Sequence, residues 1–461
     1  MEYNPQVFRE YDIRGYVDKD LSEEFARNLG YALGYYAHIQ NSNRHAIIGW
    51  DCRESSTRYA AKLAEALAES GFNVDLIGMV PTPVVYHGCH KLQCGLGVAV
   101  TGSHNPKDMN GFKIVVRNRA ISGKEIQEVR QIFEKVLNEG NLLKGDIGSV
   151  KSREYLSVYV DDLVENIKPH LKHTDFRFAL DYGNGVAAIT AIPILQKLDL
   201  KADHLFNDPD PEFPNHHPDP TVEKNLEALK LFVREKNLDF GFAFDGDGDR
   251  IGLVDNKGRS ISGDLILLIL ATDILKKHPK SPIVGDVKCS DILFTEVQRL
   301  GGVPVMWKTG HSLIKAKMKE IGAPLAGEMS GHIFIADRYY GFDDAVYVAL
   351  RLLEIFAGEF DLEAFEQSIP KIFNTSEIRI TVPEQIKFLL IDKLKDAFKD
   401  YEINTIDGVR VKFNDGWALI RASNTQPALI MRFEANSRQR LEEIKSFVEN
   451  LVFTEISVLS K

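Results

Sequence analysis

A chain of 461 residues, 44% hydrophobic and 26% charged, is too long for one ordinary core and long enough for three or four domains that enclose a cleft. A formal net charge of −10 excludes nucleic acid and an anionic membrane as expected partners, and makes the binding of an anionic small molecule depend on local positive charge. Cys52, Cys89, Cys94 and Cys289 have neither CxxC nor metal-ligand spacing, so a disulfide framework is excluded and reduced thiols of a cytoplasmic protein are expected.

In chain order, the opening MEYNPQVFREYDIRG lacks the apolar core of a secretory signal. The segment RHAIIGWDCRESSTRYAAKLAEALAESGFNVDLIG then reads as a β run, a polar loop, a helix with apolar residues three and four apart, and a second β run. FRFALDYGNGVAAITAIPILQKLDLKADHLF and SPIVGDVKCSDILFTEVQRLGGVPVMWKTG repeat that pattern. Three βαβ units predict mostly parallel sheets faced by helices. Between the second and third units, LILLILATDIL is the richest apolar run, and it is too short and interrupted to span a bilayer. The tail departs from the pattern: GVRVKFNDGWALIRASNTQPALIMRFEA predicts strands about an Asn414-Asp415-Gly416 turn, flanked by helices in EQIKFLLIDKLKDAF and RQRLEEIKSFVENLV. Boundaries near 148, 258 and 371 give three similar mixed α/β domains over 1–148, 149–258 and 259–371, and a smaller α+β domain over 372–461.

Four loops carry candidate chemistry. In GVAVTGSHNPKDMNGFKI, Ser103 follows an apolar strand and sits between a glycine and the pair His104, Asn105, a composition that by itself also makes an ordinary turn. In LDFGFAFDGDGDRIGLV, Asp245, Asp247 and Asp249 alternate with glycines ahead of Arg250. Three carboxylates drawn together repel unless a cation sits among them, and all-oxygen ligation suits Mg²⁺ or Mn²⁺; a solvated acidic turn is the alternative. A calcium EF-hand loop is excluded, because Arg250 stands where its glycine is needed and Asn256 where its bidentate glutamate is needed. APLAGEMSGHIF offers Glu328, Ser330 and His332 to sugar hydroxyls or to a plain turn, and ALIRASNTQPALIM sets Arg421 beside Ser423, Asn424 and Thr425, donors suited to a phosphate dianion.

Together TGSHNP, FDGDGDR, GEMSGH and RASNTQP, in this order, resemble the loops of the α-D-phosphohexomutase family, nearest its bacterial phosphomannomutase/phosphoglucomutase branch. FREYDIRG, DYGNGVA, DVKCS, WKTGHSLIK and GFDD extend the resemblance over the whole chain. It implies four domains around a central cleft, with the fourth smaller and mobile. It also implies that Ser103 is a phosphoserine whose loop is shaped by His104 and Asn105, and that Asp245, Asp247 and Asp249 bind Mg²⁺ with a phosphoserine oxygen as a further ligand. Arg250 neutralises phosphoryl charge, Glu328 and Ser330 read sugar hydroxyls, and Arg421, Ser423, Asn424 and Thr425 grip the phosphate that is not reacting. Lys113, His311 and His332 are the candidates for moving protons, with Arg14 as their charge partner, since an arginine stays protonated. Arg9, Tyr11, Lys288 and Lys308 line the cleft.

The implied reaction shifts phosphate between C6 and C1 of a hexose phosphate through hexose 1,6-bisphosphate, which also serves as activator. The implied partners are sugar phosphates alone, with the chain acting as a monomer. GEMSGH resembles the loop of enzymes that accept both mannose and glucose phosphates, as contacts to the shared O3 and O4 would allow. Two other classes compete. A metal-dependent sugar-phosphate phosphatase leaves the sugar and distal-phosphate loops idle, and a non-catalytic sugar-phosphate sensor needs neither Ser103 nor the aspartates.

Overall fold

The computed structural model describes residues 2–172, 175–423 and 427–459, and the described residues form four sheets. Three of them are built alike. In the first, the strand His45–Trp50 leads through the helix Glu54–Glu69 to the parallel strand Asn73–Met79. Leu96–Val100 lies parallel on the other side of His45–Trp50 and turns back as the antiparallel Met109–Val116. The second sheet repeats this order with Phe178–Asp181, the helix Ala188–Lys197, Asp203–Leu205, Phe240–Phe244 and Ile251–Asp255. The third does so with Pro282–Asp286, the helix Asp291–Arg299, Val303–Trp307, Leu325–Gly327 and Ile333–Ile335. The three expected βαβ units are therefore parallel pairs, and each is completed by a third strand and a hairpin.

Local chemistry explains the elements. Leu96–Val100 and Phe240–Phe244 are buried along their whole length, as uninterrupted apolar strands with both faces covered must be. The helix Glu54–Glu69 turns Tyr59, Leu63, Ala66 and Leu67 inward at helical spacing. It packs on Glu23–Ile39, whose N-terminus is capped by Ser22. A Cβ at Gly30 would lie 2.7 Å from that of Ala66, so glycine permits the close approach of the two helices. LILLILATDIL falls within the helix Gly263–Lys277 and is buried on nearly every side; no helix among the described residues is long and apolar enough to cross a membrane.

Two sheets extend past the positions 148 and 258. Ser149–Ser152 pairs in parallel with Asn73–Met79, and Ser260–Ile261 pairs with Ile251–Asp255, because the connecting chain adds an edge strand before it crosses to the next domain. The fourth sheet is antiparallel throughout, with Val409–Phe413 and Gly416–Ala422 joined across Asn414-Asp415 and Ala428–Ala435 alongside. The helices Lys387–Ala397 and Arg438–Leu459 cover it. One apolar cluster runs from Ile47 to Ile355 through the first three domains, whereas the fourth domain has its own core and meets the third at Val287, Trp417 and Leu419.

Candidate active site

Ser103 lies in the hairpin loop after Leu96–Val100, buried, with φ at 50° in the left-handed region. The loop is fixed from beneath by two residues that sequence reasoning missed. The buried Arg53 guanidinium donates to the carbonyls of Ser103 (3.0 Å), Asn105 (2.5 Å), Pro106 (2.6 Å) and Met109 (3.0 Å). Asp51 Oδ2 accepts from Arg53 Nε (3.1 Å), Thr101 Oγ1 (2.9 Å) and Gly102 N (3.0 Å), and Thr101 Oγ1 in turn accepts the Ser103 N–H at 2.7 Å. Arg14 Nη1 donates to Gly102 O at 2.7 Å, and Asn105 Nδ2 donates to the same carbonyl at 2.9 Å. Gly102 leaves room for this anchor, since a Cβ there would stand 2.3 Å from Arg53 Nε.

The Ser103 hydroxyl donates to Asp245 Oδ2 at 3.0 Å. Its single proton is thereby used, so His104 Nδ1, 3.1 Å from Oγ, is the donor of that second bond. Burial holds the His104 imidazole well below its usual pKa.

Asp245, Asp247 and Asp249 occupy the corresponding hairpin of the second sheet, fully buried, with a carboxylate oxygen of each within 4.8 Å of the others. Gly246 lets the two loops meet: a Cβ there would lie 2.5 Å from Ser103 O. Asp245 Oδ1 accepts the backbone N–H groups of Asp249 and Arg250 at 3.0 and 3.1 Å. Lys113 Nζ donates to Asp247 Oδ2 at 2.7 Å and to Asp249 Oδ2, while Thr82 Oγ1 donates to Asp247 Oδ2 at 2.6 Å. Burial and the neighbouring Asp247 and Asp249 push the Asp245 carboxyl well up. Burial would also raise Asp247, but Lys113 outweighs it and holds that carboxyl below the usual range. Conversely, burial disfavours the Lys113 ammonium, and Asp247, Asp249 and Asp245 overcome this to raise its pKa. Oδ1 of Asp247 and Oδ1 of Asp249 are buried without a hydrogen-bond partner among the described residues. Bare oxygens in a buried tri-carboxylate set fit a hard dication such as Mg²⁺.

Arg250 crosses from this loop to the third domain, where its Nε–H donates to His332 Nε2 at 2.9 Å. The His332 ring stacks on His311, centroids 5.6 Å apart. Burial and the adjacent Lys315 keep the His311 imidazole well below its ordinary pKa.

A second cluster assembles around Thr309 and Gly310. Tyr11 Oη donates to Thr309 O (2.8 Å), Gly310 N donates to Glu328 Oε1 (2.6 Å), and Thr309 N donates to Asp407 Oδ2 (3.1 Å). Residues of the first, third and fourth domains thus meet at one turn, where Gly310 has φ 130° and a Cβ would strike the Tyr11 ring at 2.4 Å. Asp407 also accepts from the buried Arg421 Nε at 3.1 Å, and burial raises the Glu328 carboxyl. Lys288 Nζ donates to Glu377 Oε1 at 3.1 Å and lies 3.7 Å from the fully buried Asp286. Ser423 is buried at the end of the arginine loop and its carbonyl accepts from Lys387 at 2.7 Å; Asn424 and Thr425 lie outside the described residues. Lys308 is exposed and Ser330 half-buried, and their side chains make no hydrogen bond among the described residues; Arg9 is half-buried, with Asp12 among its charged neighbours. Nothing in the sequence marks Asp286, Asp407 and Thr309, because aspartate and threonine beside a turn are ordinary.

A buried serine bonded to an acidic triad, with an arginine-bearing antiparallel domain closing the other side of the cleft, defines a multidomain α/β enzyme equipped for phosphoryl groups. Successive stretches match the phosphoglucomutase/phosphomannomutase descriptions: alpha/beta/alpha domain I over residues 5–139, domain II over 157–258, domain III over 262–373, and the C-terminal domain over 377–451. The chain belongs to the phosphoglucomutase/phosphomannomutase family of α-D-phosphohexomutases. It is 43% identical over 450 residues to a phosphomannomutase/phosphoglucomutase of Pseudomonas aeruginosa, covering 96% of this chain and 95% of that one. It is 39% identical over 444 residues to a phosphoglucomutase of Neisseria meningitidis, covering 95% of each. Among solved structures, a phosphoglucomutase/phosphomannomutase family protein of Burkholderia thailandensis superposes with a TM-score of 0.90 at 38% identity, covering 98% of both chains.

Proposed function

We propose that this chain interconverts hexose 1-phosphate and hexose 6-phosphate, of mannose, glucose or both, by way of a phosphoserine at Ser103. The observation that carries the reading is the 3.0 Å bond from the Ser103 hydroxyl to Asp245, inside a buried set of three carboxylates flanked by Lys113 and Arg250. Phosphoryl transfer depends on alignment and charge neutralisation, and these groups supply both. Asp245, Asp247 and Asp249 would hold Mg²⁺, which when bound neutralises charge on the transferring group.

The Ser103–phosphorus bond breaks as the free hydroxyl of the sugar monophosphate bonds to phosphorus, and hexose 1,6-bisphosphate forms. The sugar turns over, and its other phosphate returns to Ser103. Arg421 holds the idle phosphate at the far side of the cleft in each half, with Lys288 nearby and Glu328 and Ser330 oriented to the sugar hydroxyls. The proton of the attacking hydroxyl passes to His332, whose Nε2 is an acceptor in this structure, and Lys113 serves as a charge partner.

The test is conversion of glucose 1-phosphate to glucose 6-phosphate, with mannose 1-phosphate in parallel, joined to intact mass and peptide mapping of the resting enzyme. Phosphate on Ser103 is expected, as is near-complete loss of turnover in Ser103→Ala with sugar-phosphate binding retained. Release of free phosphate without isomer indicates a phosphatase, and binding without product indicates a sensor.

A further inference from the structure

Asp407 stands in the bend between the strands Glu402–Asn404 and Val409–Phe413 of the fourth domain, outside the four loops that carry the site's motifs. Gly408, with φ at 85°, lays this bend across the next strand: a Cβ there would lie 2.3 Å from Ile420 O and 2.7 Å from Arg421 Cα. Ile406 packs against Val287, Trp417 and Leu419, which seats the bend on the third domain. There a single carboxylate oxygen serves two donors. Asp407 Oδ2 accepts the Arg421 Nε–H at 3.1 Å and the Thr309 N–H at 3.1 Å. Thr309 is itself locked, its hydroxyl donating to the fully buried Asp286 at 2.9 Å and its carbonyl accepting from Tyr11. The next N–H along, that of Gly310, holds Glu328 Oε1 at 2.6 Å.

Arg421 gives only Nε to this contact, which leaves the two terminal nitrogens of its planar guanidinium as a fork, the geometry that meets a phosphate dianion with two parallel bonds. An acceptor fixed on Nε holds the plane of the group and so the direction of that fork. We propose that Asp407 is the positioning residue of Arg421: it aims the guanidinium fork into the cleft and, through Thr309, sets that phosphate grip in register with Glu328 on the sugar loop. The proposal rests on the mutase reading above, in which Arg421 holds the idle phosphate. The grip is the same whichever end of the sugar reacts, so Asp407 serves both transfers. It touches neither sugar nor phosphate and acts through Arg421. A counter-ion that only occupied Arg421 until phosphate arrived would behave in the opposite way, because its removal would free the arginine and tighten binding.

The experiment uses the full chain with Asp407→Ala, Asp407→Asn, Arg421→Ala and the double variant Asp407→Ala with Arg421→Ala. Glucose 6-phosphate is titrated calorimetrically into the single Asp407 variants carried on Ser103→Ala, where no turnover intervenes, and steady-state kinetics are measured with Ser103 present. Asp407→Ala is expected to raise Kd by about 10- to 100-fold, and KM by a similar factor with kcat within about threefold, as a contact made equally in ground and transition states requires. Asp407→Asn is expected to stay within about threefold of the parent, because one amide oxygen can accept both N–H groups. Adding Asp407→Ala to Arg421→Ala is expected to lower kcat/KM no further. Thermal unfolding verifies that the variants fold, and Asp407→Ser, too short to bridge both donors, replaces Asp407→Ala if that one does not. A Kd unchanged or tighter in Asp407→Ala, an Asp407→Asn as weak as Asp407→Ala, or additive losses in the double variant each overturn the proposal. A Ser103→Ala parent that fails to bind glucose 6-phosphate overturns the mutase reading and the proposal with it, whereas a parent that binds no better than its Asp407→Ala derivative overturns the proposal alone.

Discussion

Asp247 uses its two oxygens differently: Oδ2 accepts from Thr82 and Lys113, and Oδ1 is buried and bare among the described residues. Asp247→Asn therefore keeps an oxygen for Thr82 and Lys113 but places an NH₂ where a dication would sit. The fold should survive, since Lys113 retains Asp249 as a partner. Mg²⁺ binding should weaken and kcat should fall by about 10²-fold or more, as expected when charge stabilisation at a phosphoryl group is lost. Titration calorimetry of Mg²⁺ and steady-state kinetics check the variant, and full wild-type turnover in excess EDTA would contradict the metal assignment. Alternating aspartates after a strand made this triad legible in the sequence. Lys113 was legible only through the family resemblance, because nothing local predicts that a strand lysine will reach carboxylates 134 and 136 residues away.

The functional loops occupy one topological place, the hairpin between the last parallel strand and the antiparallel strand that follows it. Ser103 stands there in the first sheet, Asp245, Asp247 and Asp249 in the second, and Glu328 and Ser330 in the third. The turn after each sheet's first parallel strand lies at the same end and supplies Asp51 and Arg53 in the first domain and Lys288 in the third. Sequence periodicity revealed the βαβ units and, apart from them, the loops. That the loops complete the same repeat was hidden, because the hairpins begin 17 to 35 residues beyond the end of the second β run and differ wholly in residues. Arg53 illustrates the gap: in WDCRES it reads as a surface arginine before a helix, yet it is buried and binds four carbonyls of the Ser103 loop. Arg53→Met should leave Asp51 and those carbonyls buried with fewer partners and cost about 3–5 kcal/mol. Urea unfolding with turnover assays checks this: a lower midpoint and a kcat reduced more than the folded fraction are expected. An unchanged midpoint would show that the loop holds without the anchor.

At the scale of the molecule, the first three domains are one packed body, and the fourth is fastened to the third largely by polar contacts. Arg410 stacks over Trp417 at 3.7 Å, donates to the carbonyls of Val287 and Cys289, and pairs with Asp291 at 2.6 Å. Glu434 accepts from Ser290 and from Trp417, each at 2.9 Å, and Lys288 reaches Glu377 at 3.1 Å. Charged contacts make this fastening dependent on pH. The Lys288 ammonium, against a burial effect that acts upward, holds the Glu377 carboxyl down at about 2, with Arg379 assisting. Unfolded, the same carboxyl titrates at about 4.3. A group depressed in the folded state stabilises above its unfolded pKa and loses that stabilisation as pH falls through the folded value, so this contact is complete near neutrality and fades between about pH 4.3 and pH 2. Its ceiling is about 3 kcal/mol, from a shift of about two units. Glu377→Gln should accordingly unfold at a lower temperature than the wild type at about pH 7, with the difference shrinking as the buffer is taken from about pH 5 toward pH 3. A gap of constant size across that range would mean that Glu377 fastens the fourth domain by shape and hydrogen bonding, with its charge contributing nothing measurable.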